Sequence, residues 1–498
     1  MTPKAPPERI VILGGGTAGW MAANLIAHQW GGNRITVVES PDIGIIGVGE
    51  GSTPQLKQFF DTMGIAEGEW MPRCNATYKN GIRFEGWSER AGFESYFHPF
   101  PTALDNRTEP IFTYNTRARR TGRDVFAHPD SFFLPTHLAD RRLAPIAPEN
   151  FPFRIGYGYH FDAHLVGAFL REHALGLGVV HLERKINAVA RGAQGEVSHL
   201  IAEDGEQIVG DLFIDCSGFR SVIVQDALGE PFISFADTLF NDSAVVMPTP
   251  ADPSGTHAQT TSTAMSNGWA WDIPLTNRTG NGYVFSSHFL SADAAETELR
   301  THLDLLDSAT TARHLKMKVG RVARAWVHNA LAVGLSQGFI EPLEATALHI
   351  VQTTIEQFLD AWGTEDRDRF NAEIAARFEG VRDYIVAHYR MNQRTDTDYW
   401  RTNAANQNLS DSLKAIMTCW FTGGDLVEEI ERQNISRFYA PLSWHCLLAG
   451  YGTFPSDAKL KPPGDDIEQF DLAEAADFLR RCGLNFADHK LVLERMAA

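Results

Sequence analysis

The first clear alternation of apolar and polar positions predicts a strand, a helix and a second strand. Arg9-Ile-Val-Ile-Leu13 is a short apolar run that stops at three glycines, Thr17 to Ala27 has helical composition, and Arg34-Ile-Thr-Val-Val-Glu39 reads as a second buried strand. That order predicts a parallel sheet. Residues 40–150 are rich in Gly, Pro and aromatics and keep no clean period, so long excursions from the sheet are expected there. Tyr159 to Leu175 spaces Phe161, Leu165, Ala168, Phe169 and Leu170 for one face of a helix. Val179 to Arg220 alternates as strands do and ends in Asp211-Leu-Phe-Ile-Asp-Cys-Ser-Gly218. Residues 240–330 carry the Thr, Ser and Val content of a β segment, and from Glu344 to about residue 440 the pattern is helical.

Composition narrows the class. A chain of 498 residues with 44% hydrophobic content buries a large core and suggests two or three structural units. A net charge of -18, with no Lys/Arg run, argues against a nucleic-acid partner, because phosphate attraction needs a basic face. The five cysteines form no CxxC pair, so neither a disulfide framework nor a zinc site is expected, and no other metal. The N-terminus has no apolar signal core, and no stretch approaches the ~18 apolar residues of a membrane span. The expectation is a cytoplasmic protein that does not enter a membrane.

Gly14-Gly-Gly16-Thr-Ala-Gly19 fits GxGxxG between strand and helix. Gly14 permits the tight turn, Gly16 lets a pyrophosphate approach the backbone, and Gly19 lets helix pack on strand. Thr17 and Ala18 open the helix whose N-terminus would face phosphate charge. Glu39, twenty residues past Gly19, stands where an acid binds ribose hydroxyls. The bland alternative is a glycine-rich turn without a ligand. Asp215, at the end of a later strand, and Gly334 in Leu331-Ala-Val-Gly-Leu-Ser-Gln-Gly338 favour FAD over NAD. Leu335 stands where hydroxylase-type flavoproteins carry an acid.

Five segments stand in order along the chain: Gly14 to Trp20, Gly47-Val-Gly-Glu-Gly-Ser-Thr-Pro54, Tyr78-Lys-Asn-Gly-Ile82, Gly268-Trp-Ala-Trp-Asp-Ile-Pro274 and Gly338-Phe-Ile-Glu-Pro-Leu-Glu-Ala-Thr346. In these segments, and over nearly its whole length, the chain resembles the flavin-dependent tryptophan halogenase family. The WxWxIP pattern is the most specific of these. The resemblance implies an α/β fold with a Rossmann-like FAD-binding parallel sheet of the flavin monooxygenase type. An interleaved β segment and a mostly helical C-terminal substrate-binding region complete it. Boundaries are expected as an FAD module over 1–350, with excursions at about 40–150 and 225–330, and a helical region over 351–498.

The implied activity uses externally reduced FAD, O2 and chloride or bromide to make hypohalous acid, which halogenates an electron-rich arene. Lys79 would deliver the halogen, as a haloamine or by hydrogen-bonding hypohalous acid. Glu344 would take the ring proton, with Glu341 as competitor. Thr346 and Ala347 would hold halide. Gly49 and Ser52 belong to a flavin strap, and Trp269 and Trp271 would bar organic substrate from the flavin. His98 and Phe100 would form one aromatic wall, Phe438 and Tyr439 the other. Each of these residues also has a plainer reading as core or capping residue. Asp425 to Asn434 lacks the tyrosine pair of members that grip free tryptophan, so indole or a substituted indole is expected. A separate flavin reductase is implied as partner, and a homodimer is the default assembly. A flavin-dependent aromatic hydroxylase shares this fold and is the alternative. A non-catalytic FAD- or nucleotide-binding protein is the reading from another class.

Overall fold

Four consecutive buried apolar residues form the strand Ile10–Leu13, as expected of a strand covered on both faces within a parallel sheet. In the computed structural model, which describes residues 5–41, 49–364, 366–465 and 467–498, this strand pairs in parallel with Leu212–Asp215 on one side and Ile35–Glu39 on the other. The sheet has six strands among the described residues. Its order is Trp326–Val327, Ala330–Ala332, Leu212–Asp215, Ile10–Leu13, Ile35–Glu39 and Val180–Glu183. Only the Trp326–Val327 edge is antiparallel. Helix Thr17–Trp30 buries Trp20, Met21, Leu25 and Ile26, each worth roughly 1.5–3 kcal/mol once removed from water. Its Asn24 amide donates to the Leu170 carbonyl and so pins the neighbouring helix Ala163–Gly176.

The chain separates into two compact units. The first is Met1–Ala76, Phe161–Ala236 and Met317–Glu379; the second is Thr77–His160, Asp237–Lys316 and Gly380–Ala498. Helix Ala347–Ala361 therefore falls with the parallel sheet, whereas the sequence places the helical region from 351. Of the excursions expected at about 40–150 and 225–330, the second unit takes the parts from Thr77 and from Asp237 to Lys316, whereas the chain through Ala76 and from Met317 belongs to the first.

The second unit is built on a seven-stranded sheet. Its order is Arg313–Lys316, Ser243–Pro250, Arg278–Phe285, Gly268–Pro274, Thr260–Met265, Gly81–Glu85 and Ser95–Pro99. One face packs Val245, Met247, Ala270, Tyr283 and Phe285 against Ala295 and Leu299 of helix Ala292–His302. Alternation therefore leaves Trp269 and Trp271 on the opposite face. Trp271 stands opposite Gly282 in register. A Cβ on Gly282 would lie 2.2 Å from the indole, so only glycine lets that ring lie down on the sheet.

One sequence expectation is corrected. Tyr159 does not begin a helix: Gly158–Asp162 is a strand, and the helix is Ala163–Gly176. The Asp162 carboxylate accepts from the His164 and Leu165 amides and sets the start. Leu165 and Ala168, expected on the buried face, are exposed; Val166, Phe169, Leu170 and Ala174 are buried instead. No helix among the described residues is long and apolar enough to cross a membrane.

Candidate active site

In the first unit, Gly14 to Gly19, Glu39, Asp215 and Gly334 gather at the carboxyl ends of the parallel strands, where open α/β sheets bind ligands. Gly14 has φ +117°, and a Cβ there would lie 2.2 Å from the Cys216 carbonyl oxygen. Gly19 closes on the Gly14 oxygen, where a Cβ would lie at 1.9 Å. Gly16 is different: a Cβ there would meet nothing within 4 Å. It caps helix Thr17–Trp30 in extended conformation without a side-chain hydrogen bond. The open space therefore lies at a helix N-terminus, a cradle that suits a pyrophosphate. The buried Thr17 hydroxyl donates to the Ala163 carbonyl, and Ala18 meets Gly334, which has φ +67°. A Cβ on Gly334 would lie 2.8 Å from the Ala18 methyl, so this turn also closes on the cradle.

Glu39 lies against the Gly15 backbone, and its Oε2 is 3.0 Å from His181 Nε2. Asp215 acts locally. Its Oδ1 accepts from the Ser217 amide and hydroxyl, and its Oδ2 from the Ile223 and Val224 amides and the Ser221 hydroxyl. It shapes the turn beside the cradle. These residues fit FAD: an open phosphate cradle, a carboxylate on the second strand, and a glycine turn returning to the first helix.

Gly47 and Val48 of the expected strap lie outside the described residues. Gly49 opens the strand Gly49–Gly51, and Ser52 is buried. Glu50, not singled out by sequence, has its carboxyl pushed up to about 7, chiefly by burial and then by the Asp162 charge. Glu341 and Glu344 are both buried, at 1% and 5% exposure. Glu344 ends the short helix Pro342–Glu344. Ala345 follows at φ +54°, a left-handed conformation costly for a residue with a Cβ. That residue turns the chain into helix Ala347–Ala361, with buried Thr346 as N-cap and Ala347 exposed at its start.

In the second unit, Lys79 is fully buried in the strand Thr77–Lys79. Its Nζ stands 5.4 Å from the Phe100 ring centroid, a cation–π arrangement. The strand is tied to the tryptophan strand through Thr77. The Thr77 hydroxyl donates to the Pro274 carbonyl at 2.7 Å and lies 3.0 Å from His160 Nδ1. A hydroxyl has one proton, so His160 Nδ1–H donates to Thr77 and His160 Nε2 accepts from Thr260 Oγ1 at 2.9 Å. Burial first, and then Lys79 and His489, hold the His160 pKa well below the imidazole range. The Trp269 and Trp271 ring centroids are 6.0 Å apart.

The aromatic residues expected as substrate walls all lie in the second unit. Phe100 belongs to Lys79. His98 meets Tyr384 edge-on at 6.3 Å, and Tyr384 stacks on Tyr439 at 3.6 Å with 7° between planes. Phe438 packs on Gly380, where a Cβ would lie 2.2 Å from its ring, and Arg437 covers it. Tyr384, on helix Arg367–Met391, was not legible as a site residue, because its helix carries no motif and its contacts are distant in sequence.

The family description "Tryptophan halogenase" fits residues 9–462. The chain is 35% identical to the 7-chloro-L-tryptophan 6-halogenase KtzR of Kutzneria sp. (strain 744), with 98% of this chain and 99% of that protein covered. It superposes on the crystal structure of the tryptophan 6-halogenase SttH from Streptomyces toxytricini with TM-score 0.83 at 30% identity, covering 98% of this chain and 99% of that one. For BrvH, a flavin-dependent halogenase from Brevundimonas sp. BAL3, the TM-score is 0.84 at 30% identity, with 99% and 100% covered. The match over both units makes this enzyme a member of the tryptophan halogenase family of flavin-dependent halogenases.

Proposed function

We propose that this enzyme halogenates an electron-rich arene, indole or an indole derivative, with hypohalous acid made from chloride or bromide. The observation that carries the reading is a lysine amine sealed from water beside an aromatic ring, on a strand bonded to the tryptophan strand. FAD, reduced by a separate flavin reductase and held by Gly14 to Gly19, Glu39 and Gly334, would supply the oxidising equivalent of O2 that converts halide to hypohalous acid. Thr346 and Ala347, at the start of a helix of fifteen residues, offer amides to the halide. Trp269 and Trp271 exclude the arene from flavin while a small acid passes.

Lys79 receives the halogen or hydrogen-bonds hypohalous acid and polarises it. With hydrogen-bonded acid, the halogen–oxygen bond breaks as the carbon–halogen bond forms, and the departing hydroxide takes a proton from the Lys79 ammonium and leaves as water. With a haloamine, that water has left already and the halogen–nitrogen bond breaks instead. In both cases the ring proton goes to the buried Glu344 carboxylate and is returned to the Lys79 nitrogen. Free tryptophan is a poorer guest in this reading. Glu429, on helix Leu426–Arg432, is engaged by Arg432 at 2.6 Å, and Asn434 is an exposed left-handed residue just past that helix. Neither is arranged to grip an ammonium. The test is mass spectrometry of products from reduced FAD, O2 and bromide with indole or L-tryptophan. Bromoindole in excess, absent without bromide and lost in Lys79→Ala, is expected. Oxygenated product without halide, or preference for L-tryptophan, would refute the activity or the substrate class respectively.

A further inference from the structure

We propose that His489, in the C-terminal helix, is a positioning residue for Lys79, fixing the lysine's strand through the backbone of Tyr78. The inference rests on the reading of Lys79 as the delivering amine. His489 lies beyond residues 9–462, the stretch that the family description fits.

The strand Thr77–Lys79 pairs along one edge with Gly158–Asp162. On its other edge, amides of the residues bracketing Lys79 point to the segment around Thr256–Ala258. Asn80 N–H donates directly to the Ala258 carbonyl at 2.7 Å. At Tyr78 the His489 imidazole stands between the amide and that segment. Its Nδ1 is 3.0 Å from the Thr256 carbonyl, which accepts only, so Nδ1 carries the proton. Nε2 is then a bare acceptor and takes the Tyr78 N–H at 3.1 Å. One neutral tautomer therefore serves as donor at one end and acceptor at the other, replacing a missing strand contact. Burial favours that neutral form, lowering the His489 pKa to about 4.

The imidazole is itself held in place. His489 N–H donates to the Arg142 carbonyl, and Ala144 N–H to the Ala487 carbonyl. The Asn80 side-chain amide donates to the Leu143 carbonyl between them. Both neighbours of Lys79 are thus fixed to one framework, and the amine is fixed against Phe100. Displacing a reacting group by about 1 Å costs on the order of a hundredfold in rate, so slack at Tyr78 falls on halogen transfer.

The test compares full-length wild type, Lys79→Ala, His489→Ala, His489→Asn and His489→Gln with reduced FAD, O2, bromide and indole. Bromoindole is quantified by mass spectrometry, and escaped hypobromous acid by a 1,3-diketone trap. The expected result is a bromoindole-to-trapped-acid ratio lowered about tenfold in His489→Ala and His489→Asn. His489→Gln, whose Oε1 reaches towards the place of Nε2, recovers to within about threefold of wild type. The Gln and Asn pair decides the question even where the Ala variant fails to fold. An unchanged ratio in His489→Asn, or equal loss in Asn and Gln, would overturn the inference. Lys79→Ala separates the levels: a wild-type ratio there refutes the role of Lys79 itself, whereas its loss there without loss in His489→Asn refutes only the part given to His489.

Discussion

Replacing Thr77 by valine removes one hydroxyl and almost no volume, so it isolates the polar bonds that tie the lysine strand to the tryptophan strand. That hydroxyl is fully buried, donates to the Pro274 carbonyl and accepts from His160 Nδ1–H. Valine leaves both partners in place and stranded. A buried polar group deprived of its partner costs about 1–3 kcal/mol, so two give about 2–5 kcal/mol, allowing for partial relaxation. Thr77→Ser keeps the hydroxyl and loses one methyl, at about 1 kcal/mol. The assay is urea unfolding of both variants, followed by fluorescence, with midpoint shifts compared at unchanged m. A double-mutant cycle adds a second reading. His160→Phe removes one stranded group, so it should destabilise less in the Thr77→Val background than in wild type, with a coupling of about 0.5–3 kcal/mol. Equal stability of the Val and Ser variants, within about 0.5 kcal/mol, would refute the assignment of proton direction in this web.

Two further outcomes follow from the first unit. Gly16→Ala places a methyl where nothing lies within 4 Å and where the backbone suits alanine. The unliganded protein should keep its melting temperature, while FAD affinity, read by flavin fluorescence, falls by about tenfold or more; an unchanged affinity would remove the cradle from that helix end. Glu50 has a folded pKa of about 7 against an ordinary 4.5. The folded state therefore binds more proton between those values, and this group's contribution to stability falls as pH rises through that window. Glu50→Gln removes the ionisation, so its advantage in unfolding midpoint over wild type should grow from pH 4.5 to 7 and then level; parallel curves would contradict the shift.

The parallel-sheet opening was legible because two signals coincide there: uninterrupted apolar runs and glycines at the positions a tight turn requires. In Tyr159 to Leu175 the helix is legible but its start is not, because the short apolar run ahead of Ala163 carries no period of its own. The signal that decides it is Asp162, a capping carboxylate just inside the run. The aromatic residues were legible as a group but not in their pairing. His98, Tyr439 and Phe438 meet Tyr384 and Gly380, both on one long helix whose pattern announces only packing, while Phe100 faces Lys79.

Lys79 was nameable from resemblance, but what holds it was not legible at all. Thr77 finds His160 across 83 residues and Tyr78 finds His489 across 411. No local pattern encodes bonds of that span. Their physical logic is nonetheless simple. A three-residue strand buries too few side chains for packing alone to fix its register. Directional bonds do so, because a carbonyl that can only accept stands at one end of each run and sets the direction of the bonds behind it. The Pro274 carbonyl orders the Thr77 proton, which orders His160. The Thr256 carbonyl orders His489, which orders Tyr78. Such a web is rigid only while every member is satisfied, so a single isosteric change that strands one member should loosen the lysine before it unfolds the chain.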